Sequence, residues 1–299
     1  MLKQLINRTL VCDGAIGTEL LKRSNEKIPE ILNLTKPEIV ESLHLDYINA
    51  GAEIITTNSF GANLARLKNI SINIYELNKI SAQIANKVRP PNVLIFGSVG
   101  PTGLKPQKND FKKIANYFSE QICGLADGNV DVILIETMIF SDEMRIAYQI
   151  ARTETKLPIA LSMSFRRVRN GFETYSGIDI KTAIKEMLSL GPEIIGANCG
   201  NGFAEMVEIA RYFKSITKEV PILVNPSAGV PRIVDNKLVY PDTPENIAES
   251  VMKLIELGAN IIGGCCGTTP DHIKVIRKIV DDFYTKSANS NFQCKVFQS

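Results

Sequence analysis

The sequence predicts an α/β protein folded as a single-domain (β/α)8 (TIM) barrel. Eight short apolar runs recur along it, and eight longer amphipathic stretches alternate with them. No linker, composition shift or low-complexity block divides the chain. The apolar runs are residues 10–13, 53–58, 93–98, 131–137, 158–164, 193–199, 221–225 and 260–265, each rich in Ile, Val, Leu or Ala. Runs of about four to eight such residues suit parallel strands buried on both faces. The helical stretches are 38–49, 75–88, 111–126, 142–152, 180–190, 204–215, 244–257 and 271–283. In the first, Ile39, Leu43 and Tyr47 recur at i, i+4 spacing. Thr35 with Glu38 reads as a capping box. Thr243-Pro244 and Thr269-Pro270 each place a hydroxyl ahead of a proline at the first helical position. Gly51, Gly191 and Gly258 follow helical stretches, where a left-handed residue closes the last turn. The barrel is assigned to residues 1–284 and a polar tail outside it to 285–299. A doubly wound open sheet is the alternative arrangement of the same elements.

Composition bounds the function. The 299 residues carry 34 Lys+Arg against 32 Asp+Glu, a formal charge of +2. That balance gives no electrostatic case for nucleic acid or an anionic membrane as partner. Apolar residues make up 44% and charged residues 22%, which supplies a large core and excludes disorder for the bulk of the chain. Trp is absent, and no run approaches the roughly 18 apolar residues of a spanning helix. The first residues lack the apolar core and cleavage site of a signal peptide, so a cytoplasmic location with reduced thiols is the expectation.

In such a barrel the chemistry sits at the carboxyl ends of the strands. Reading each run to its end gives Asp13-Gly14, Thr57-Asn58, Gly97-Ser98, Glu136-Thr137, Ser162-Met163, Asn198-Cys199, Asn225-Pro226 and Gly263-Gly264-Cys265-Cys266. Turn chemistry explains many of the glycines and amides there. It does not explain a carboxylate, an amide and three thiols all at such ends. Cys199, Cys265 and Cys266 are the sharpest feature, and their spacing leaves three readings open. They form a three-ligand zinc site with an open fourth position, or serve as small buried apolar residues, or form a redox-active vicinal pair at Cys265-Cys266. Cys12, Cys123 and Cys294 show no partner signature. His44 and His272 both fall on helical stretches and read as packing histidines, which leaves no His base in view. Asp13 and Glu136 are candidates for binding a substrate ammonium or handling a proton. Asn225 is a candidate for orienting substrate or meeting a metal. Gly97, Gly100 and Gly103 lack dinucleotide-fingerprint spacing, and their loop amides remain able to hold a carboxylate.

Seven segments carry a resemblance in order along the chain. They are Asp13-Gly14-Ala15-Ile16-Gly17-Thr18-Glu19, Asn33-Leu34-Thr35-Lys36-Pro37-Glu38, Thr56-Thr57-Asn58-Ser59-Phe60-Gly61-Ala62, Gly100-Pro101-Thr102-Gly103, Ala197-Asn198-Cys199-Gly200, Asn225-Pro226-Ser227-Ala228-Gly229 and Gly263-Gly264-Cys265-Cys266-Gly267-Thr268-Thr269-Pro270. Together they resemble the homocysteine S-methyltransferase family, most nearly the homocysteine-binding barrel of cobalamin-dependent methionine synthases, in register from about residue 8 to 282. The resemblance implies that Cys199, Cys265 and Cys266 hold one Zn2+ per chain and that homocysteine sulfur takes the fourth position. It implies that Glu136 and the Asp13-Gly14 loop meet the substrate amine and carboxylate, with Asn225 beside the metal. Ser98, at the end of the third run, joins them as a substrate-binding candidate. Zinc deprotonates a bound thiol, so no histidine base is needed.

Methyl transfer to that thiolate gives methionine. Members of the family use a methylated corrinoid protein, betaine or S-methylmethionine. Residues 97–110 lack the Tyr-rich insert associated with S-methylmethionine users, so a methyl-corrinoid protein is the expected donor partner. The folate, cobalamin and activation domains of a complete methionine synthase do not fit in 299 residues. The chain is therefore read as a stand-alone barrel, with an excised domain as the alternative. Two further readings are a methyltransferase for another thiol or selenol and a non-catalytic metal-binding or redox module.

Overall fold

Eight parallel strands form where the sequence places its short apolar runs: β1 (Leu10–Val11), β2 (Ile54–Thr56), β3 (Leu94–Val99), β4 (Val132–Met138), β5 (Ile159–Met163), β6 (Ile194–Cys199), β7 (Ile222–Pro226) and β8 (Ile261–Ile262). The computed structural model describes residues 8–200, 202–235 and 237–296. Each strand pairs in parallel with its sequence neighbours, and β1 pairs with β8. A bridge from Cys12 to Ile54 joins β1 to β2, with Glu53 N donating to Val11 O at 2.8 Å and Asp13 N to Ile54 O at 2.9 Å. The sheet is thereby closed into a barrel. No strand of this sheet is left as an open edge, and the open-sheet alternative falls away.

The barrel helices are α1 (Pro37–Asn49), α2 (Ile74–Val88), α3 (Phe111–Asp127), α4 (Ser141–Glu154), α5 (Ile180–Leu190), α6 (Phe203–Ile216), α7 (Ala248–Glu256) and α8 (Pro270–Val296). Their apolar faces pack on the outward strand residues to make the main core. Gly51, Gly191 and Gly258 have φ of 99°, 78° and 78°, the left-handed values a helix end needs. α8 continues through residue 296, so the sequence assigned to a tail stays helical to that point, and residues 297–299 lie outside the described residues. None of the described helices is long and apolar enough to cross a membrane.

Two helix starts differ from the sequence expectation. Thr35 does not cap α1. It ends the short helix Leu32–Thr35 and its hydroxyl turns back to Ile31 O at 3.2 Å, leaving Pro37 to open α1 unaided. α7 begins at Ala248 rather than near Pro244, because Thr243 N is taken by Asn246 Oδ1 at 3.0 Å in a separate turn. At α8 the cap forms, with His272 in the role usually filled by Glu. Thr269 N donates to His272 Nδ1 at 3.1 Å, and the Thr269 hydroxyl meets the same nitrogen at 2.9 Å.

Strand alternation sorts the barrel interior into layers. Leu10, Ile54, Phe96, Leu134, Ile194 and Leu223 are among the side chains that fill an apolar floor. One step toward the carboxyl ends, the same inward parity delivers Thr56, Ser98, Glu136, Ser162, Asn198 and Asn225, all but Glu136 fully or almost fully buried. The apolar floor supports a polar layer, and that layer is where the site lies.

His44 on α1 is fully buried, and neither ring nitrogen has a partner among the described residues. Burial holds its imidazole down at about 4 from the ordinary 6.5. Between those pH values the unfolded chain takes a proton that the folded chain refuses. Stability is therefore complete above about pH 6.5 and falls as pH drops toward 4, by about 3 kcal/mol for this one group. Urea midpoints of wild type and His44→Leu at neutral and mildly acidic pH should diverge as the pH falls, with the variant losing less. Parallel losses would assign the titration to another group.

Candidate active site and metal centre

The carboxyl ends of the strands surround a cavity of about 570 Å3, whose walls include Asp13, Gly14, Ser98, Glu136, Cys199, Asn225, Cys265 and Cys266. All eight residues singled out from the sequence thus face one space. Thr56, Thr57, Asn58, Phe60 and Arg66 complete much of the remaining wall.

The thiols converge from two strands. Their three Sγ atoms lie within 4.8 Å of one another. Ideal alternation would aim Asn198 inward and Cys199 outward, but Cys199 takes φ of 64°, which turns its sulfur back into the mouth. Cys265 and Cys266 follow β8 on a turn anchored by Cys265 N to Pro226 O at 2.7 Å and Ala228 N to Cys266 O at 2.9 Å. All three thiols are free. Hydrogen bonds from Cys265 and Cys266 pull the Cys199 thiol far below its ordinary range against the effect of burial, and Ser227 Oγ adds a third donor at 3.4 Å. The same contacts with Cys199 push Cys265 and Cys266 up. The cluster thus holds one negative charge easily, and a second or third thiolate calls for a cation. Three close sulfurs facing an open cavity fit a tetrahedral Zn2+ with its fourth position free.

The two acids are held by separate networks. Thr56 N donates to Asp13 Oδ2 at 2.6 Å, and the Thr56 hydroxyl reaches both carboxylate oxygens. Ser98 Oγ donates to Glu136 Oε1, and Asn198 Nδ2 to Glu136 Oε2 at 3.2 Å. Burial pushes both carboxyls up, each to about 7. Neither acid has an ion-pair partner among the described residues. Gly14 lies between them and α1, where a Cβ would stand 2.8 Å from Thr268 Oγ1 and 2.9 Å from Tyr47 Oη. Asn225 Oδ1 is buried without a partner among the described residues, and its Nδ2 points to Cys12 Sγ at 3.9 Å.

Asn198 is not among the candidates named from the sequence, yet it links the two halves of the site. Its Oδ1 accepts from Thr137 N at 2.9 Å and Ser162 Oγ at 2.7 Å. Its Nδ2 donates to Thr137 Oγ1 at 2.6 Å, lies 3.2 Å from Glu136 Oε2 and faces Cys265 Sγ at 3.9 Å. Those bonds also hold Thr137 at φ of 57°, a costly value for a β-branched residue. Inward parity from Ile194 through Gly196 is the signal that points to it. Ser227 and Thr56 escape a reading of the sequence for the same reason, as supports of groups that are recognised.

Residues 10–280 match the homocysteine S-methyltransferase family. The chain belongs to that family. Methionine synthase of Mycobacterium leprae is 31% identical over 304 residues, covering 94% of this chain and 25% of that protein. The Mycobacterium tuberculosis methionine synthase is 32% identical with the same coverage. The chain therefore spans about a quarter of the length of these relatives. Among solved structures, the metallated homocysteine methyltransferase MmuM of Escherichia coli superposes with a TM-score of 0.76 at 20% identity, over 91% of this chain and 96% of that one. At that identity the likeness is one of fold, and it agrees with the closed barrel.

Asn198→Ala should weaken zinc binding by about 10–100-fold, as loss of an outer-shell partner does. Cys199→Ala should weaken it further. Competition with a chromogenic chelator measures both. Zinc held equally well by Cys199→Ala and wild type would exclude the cluster as the metal site.

Proposed function

We propose that this chain is a zinc-dependent homocysteine S-methyltransferase that forms methionine, with the methyl group supplied by a methyl-corrinoid protein. The observation that carries the reading is the one cavity whose walls include three thiols within 4.8 Å of one another, the buried Asp13 carboxyl and the half-buried Glu136 carboxyl. Cys199, Cys265 and Cys266 would hold the zinc, which when bound supplies the charge that ionises a fourth thiol at neutral pH.

The chain's own residues account for the rest. Asp13 and Glu136 would receive an ammonium group, and the Gly14 amide would meet a carboxylate, since Asp13 N and Ala15 N are taken by Ile54 O and Thr268 Oγ1. Ser98 and Asn198 hold Glu136 in place, and Asn225, whose buried carbonyl oxygen has no partner among the described residues, lines the same cavity. A homocysteine oriented in this way directs its sulfur at the cluster. The sulfur lone pair forms the new S–C bond, and the donor keeps the electron pair of the bond that breaks. No histidine is needed, and none is free to serve: His272 is engaged at the start of α8 and His44 is packed under α1. The same cluster requires reduced thiols, which suits a cytoplasmic setting.

Two observations support a protein-borne donor over betaine or S-methylmethionine. The relatives at 31% and 32% identity are methionine synthases of which this chain matches a quarter. The mouth of the barrel also carries exposed apolar side chains, with Ile233 at 76% and Leu238 at 59% exposure on the segment after β7.

The reduced, zinc-loaded protein should gain one sulfur neighbour at the metal when homocysteine is added, read by X-ray absorption. It should then yield methionine with a methylated corrinoid protein and little or none with betaine or S-methylmethionine. Methionine from either small donor would displace the corrinoid partner, and an unchanged sulfur shell would displace homocysteine itself. Glu136→Gln should raise the KM for homocysteine by about 10-fold or more, the loss of a charge-assisted hydrogen bond of about 1.5–3 kcal/mol. An unchanged KM would move the amine site elsewhere in the cavity.

A further inference from the structure

The sulfur cluster faces the substrate cavity, whose walls include Cys199, Cys265 and Cys266. Just past Cys266, at Gly267, the cluster's neighbour is Tyr240, which is not among the residues lining that cavity. Its ring lies against the residue after Cys266. A Cβ at Gly267 would stand 2.3, 2.4 and 2.6 Å from Tyr240 Cγ, Cδ1 and Cδ2, and Gly267 also has φ of 82°. Glycine is required there twice, once by the backbone and once by the ring.

The way Tyr240 is held sets it apart from its neighbours. It follows the hairpin formed by Arg232–Val234 and Lys237–Val239. Along that hairpin Ile233, Val234, Leu238 and Val239 are all exposed. At Tyr240 the chain turns back onto the site and is fixed. Asp242 N donates to Ala228 O at 2.9 Å, Ala228 N to Cys266 O at 2.9 Å, and His272 Nε2 meets Asp242 O at 2.9 Å. An aromatic ring is thus pinned beside the cluster at the base of a hairpin that otherwise projects into solvent.

We infer that Tyr240 is a positioning residue that seals the solvent side of the Cys199, Cys265 and Cys266 cluster, leaving the substrate cavity as the route to the sulfurs. The seal works by ring area and not by the hydroxyl. It keeps thiol oxidants and competing chelators from the back of the cluster, and it holds Cys266 in the orientation in which its sulfur meets the other two. The inference concerns the protein itself and stands whether or not homocysteine is the substrate.

The test uses the full, reduced, metal-free chain, labelled with a maleimide on a bulky polyethylene glycol that is too large for the cavity. Mass spectrometry then reads the rate at each cysteine. Cys266 should label several-fold faster in Tyr240→Ala than in wild type, and at the wild-type rate in Tyr240→Phe. Fully buried Cys12 and the remote, half-buried Cys123 should keep their wild-type rates in both variants, which reports an intact fold. In the zinc-loaded chain, metal transfer to an external chelator should follow the same order. The inference is overturned by an unchanged Cys266 rate in Tyr240→Ala. It is equally overturned by a rise shared with Cys12, which marks loosening of the barrel, or by a Tyr240→Phe variant that labels like Tyr240→Ala.

Discussion

One buried carboxamide holds this site together. Asn198 joins β4, β5, β6 and the turn after β8 through Glu136, Thr137, Ser162 and Cys265. A side-chain amide taken out of water must satisfy both its oxygen and its nitrogen, or it costs stability. Here both are satisfied, and every partner belongs to the site. The network fixes the direction of the Glu136 carboxyl, keeps Thr137 in a left-handed conformation and faces one of the three sulfurs. A polar layer of this kind specifies a single geometry because each member is held by the others.

The second organising fact is that no ion pair among the described residues reaches Asp13, Glu136 or the three sulfurs, although Lys27 and Arg66 line the same cavity. Asp13 and Glu136 are both pushed up to about 7 by burial, and the three thiols together hold one charge easily and resist more. Burying charges of one sign is costly unless a counter-charge arrives. The zinc proposed at the sulfurs and the ammonium proposed at the carboxyls would be counter-charges of that kind. The arrangement also explains how a site with no histidine base can perform thiol chemistry, since ionisation is governed by local charge.

The loops divide the labour unevenly. The segments after β1, β2 and β3 build the polar wall, with Glu30 accepting from Gly61 N at 2.7 Å, Asn33 paired with Asn58, and Glu143 holding Thr102 N at 2.7 Å. The segments after β5 and β7 instead fold into two-stranded hairpins, Phe165–Val168 with Gly171–Thr174 and Arg232–Val234 with Lys237–Val239. The first hairpin is tied down by Arg167 to Glu205 and Glu208. The second is tied at its base and exposes Ile233, Val234, Leu238 and Val239. A rigid polar wall on one side and a projecting apolar finger on the other give the mouth its asymmetry.

The amino-acid sequence determined the eightfold alternation, the ends at which chemistry collects, and the residue types present there. Those are local properties, carried by apolar periodicity and by the polar residues that close each run. It left three readings for the cysteines, because spacing along a chain does not measure distance across a barrel. Tertiary structure brought Cys199 to Cys265 and Cys266, and it did so by turning Cys199 against strand alternation, which no local pattern encodes. It chose Asn198 as the hub, since Glu136 and Cys265 lie 62 and 67 positions from it. It withheld the cap at Thr35 and delayed α7, because nearby carbonyl and amide groups competed for the hydroxyl and the backbone. It also built the two hairpins and laid Tyr240 against Gly267, contacts that exist only once the barrel has closed.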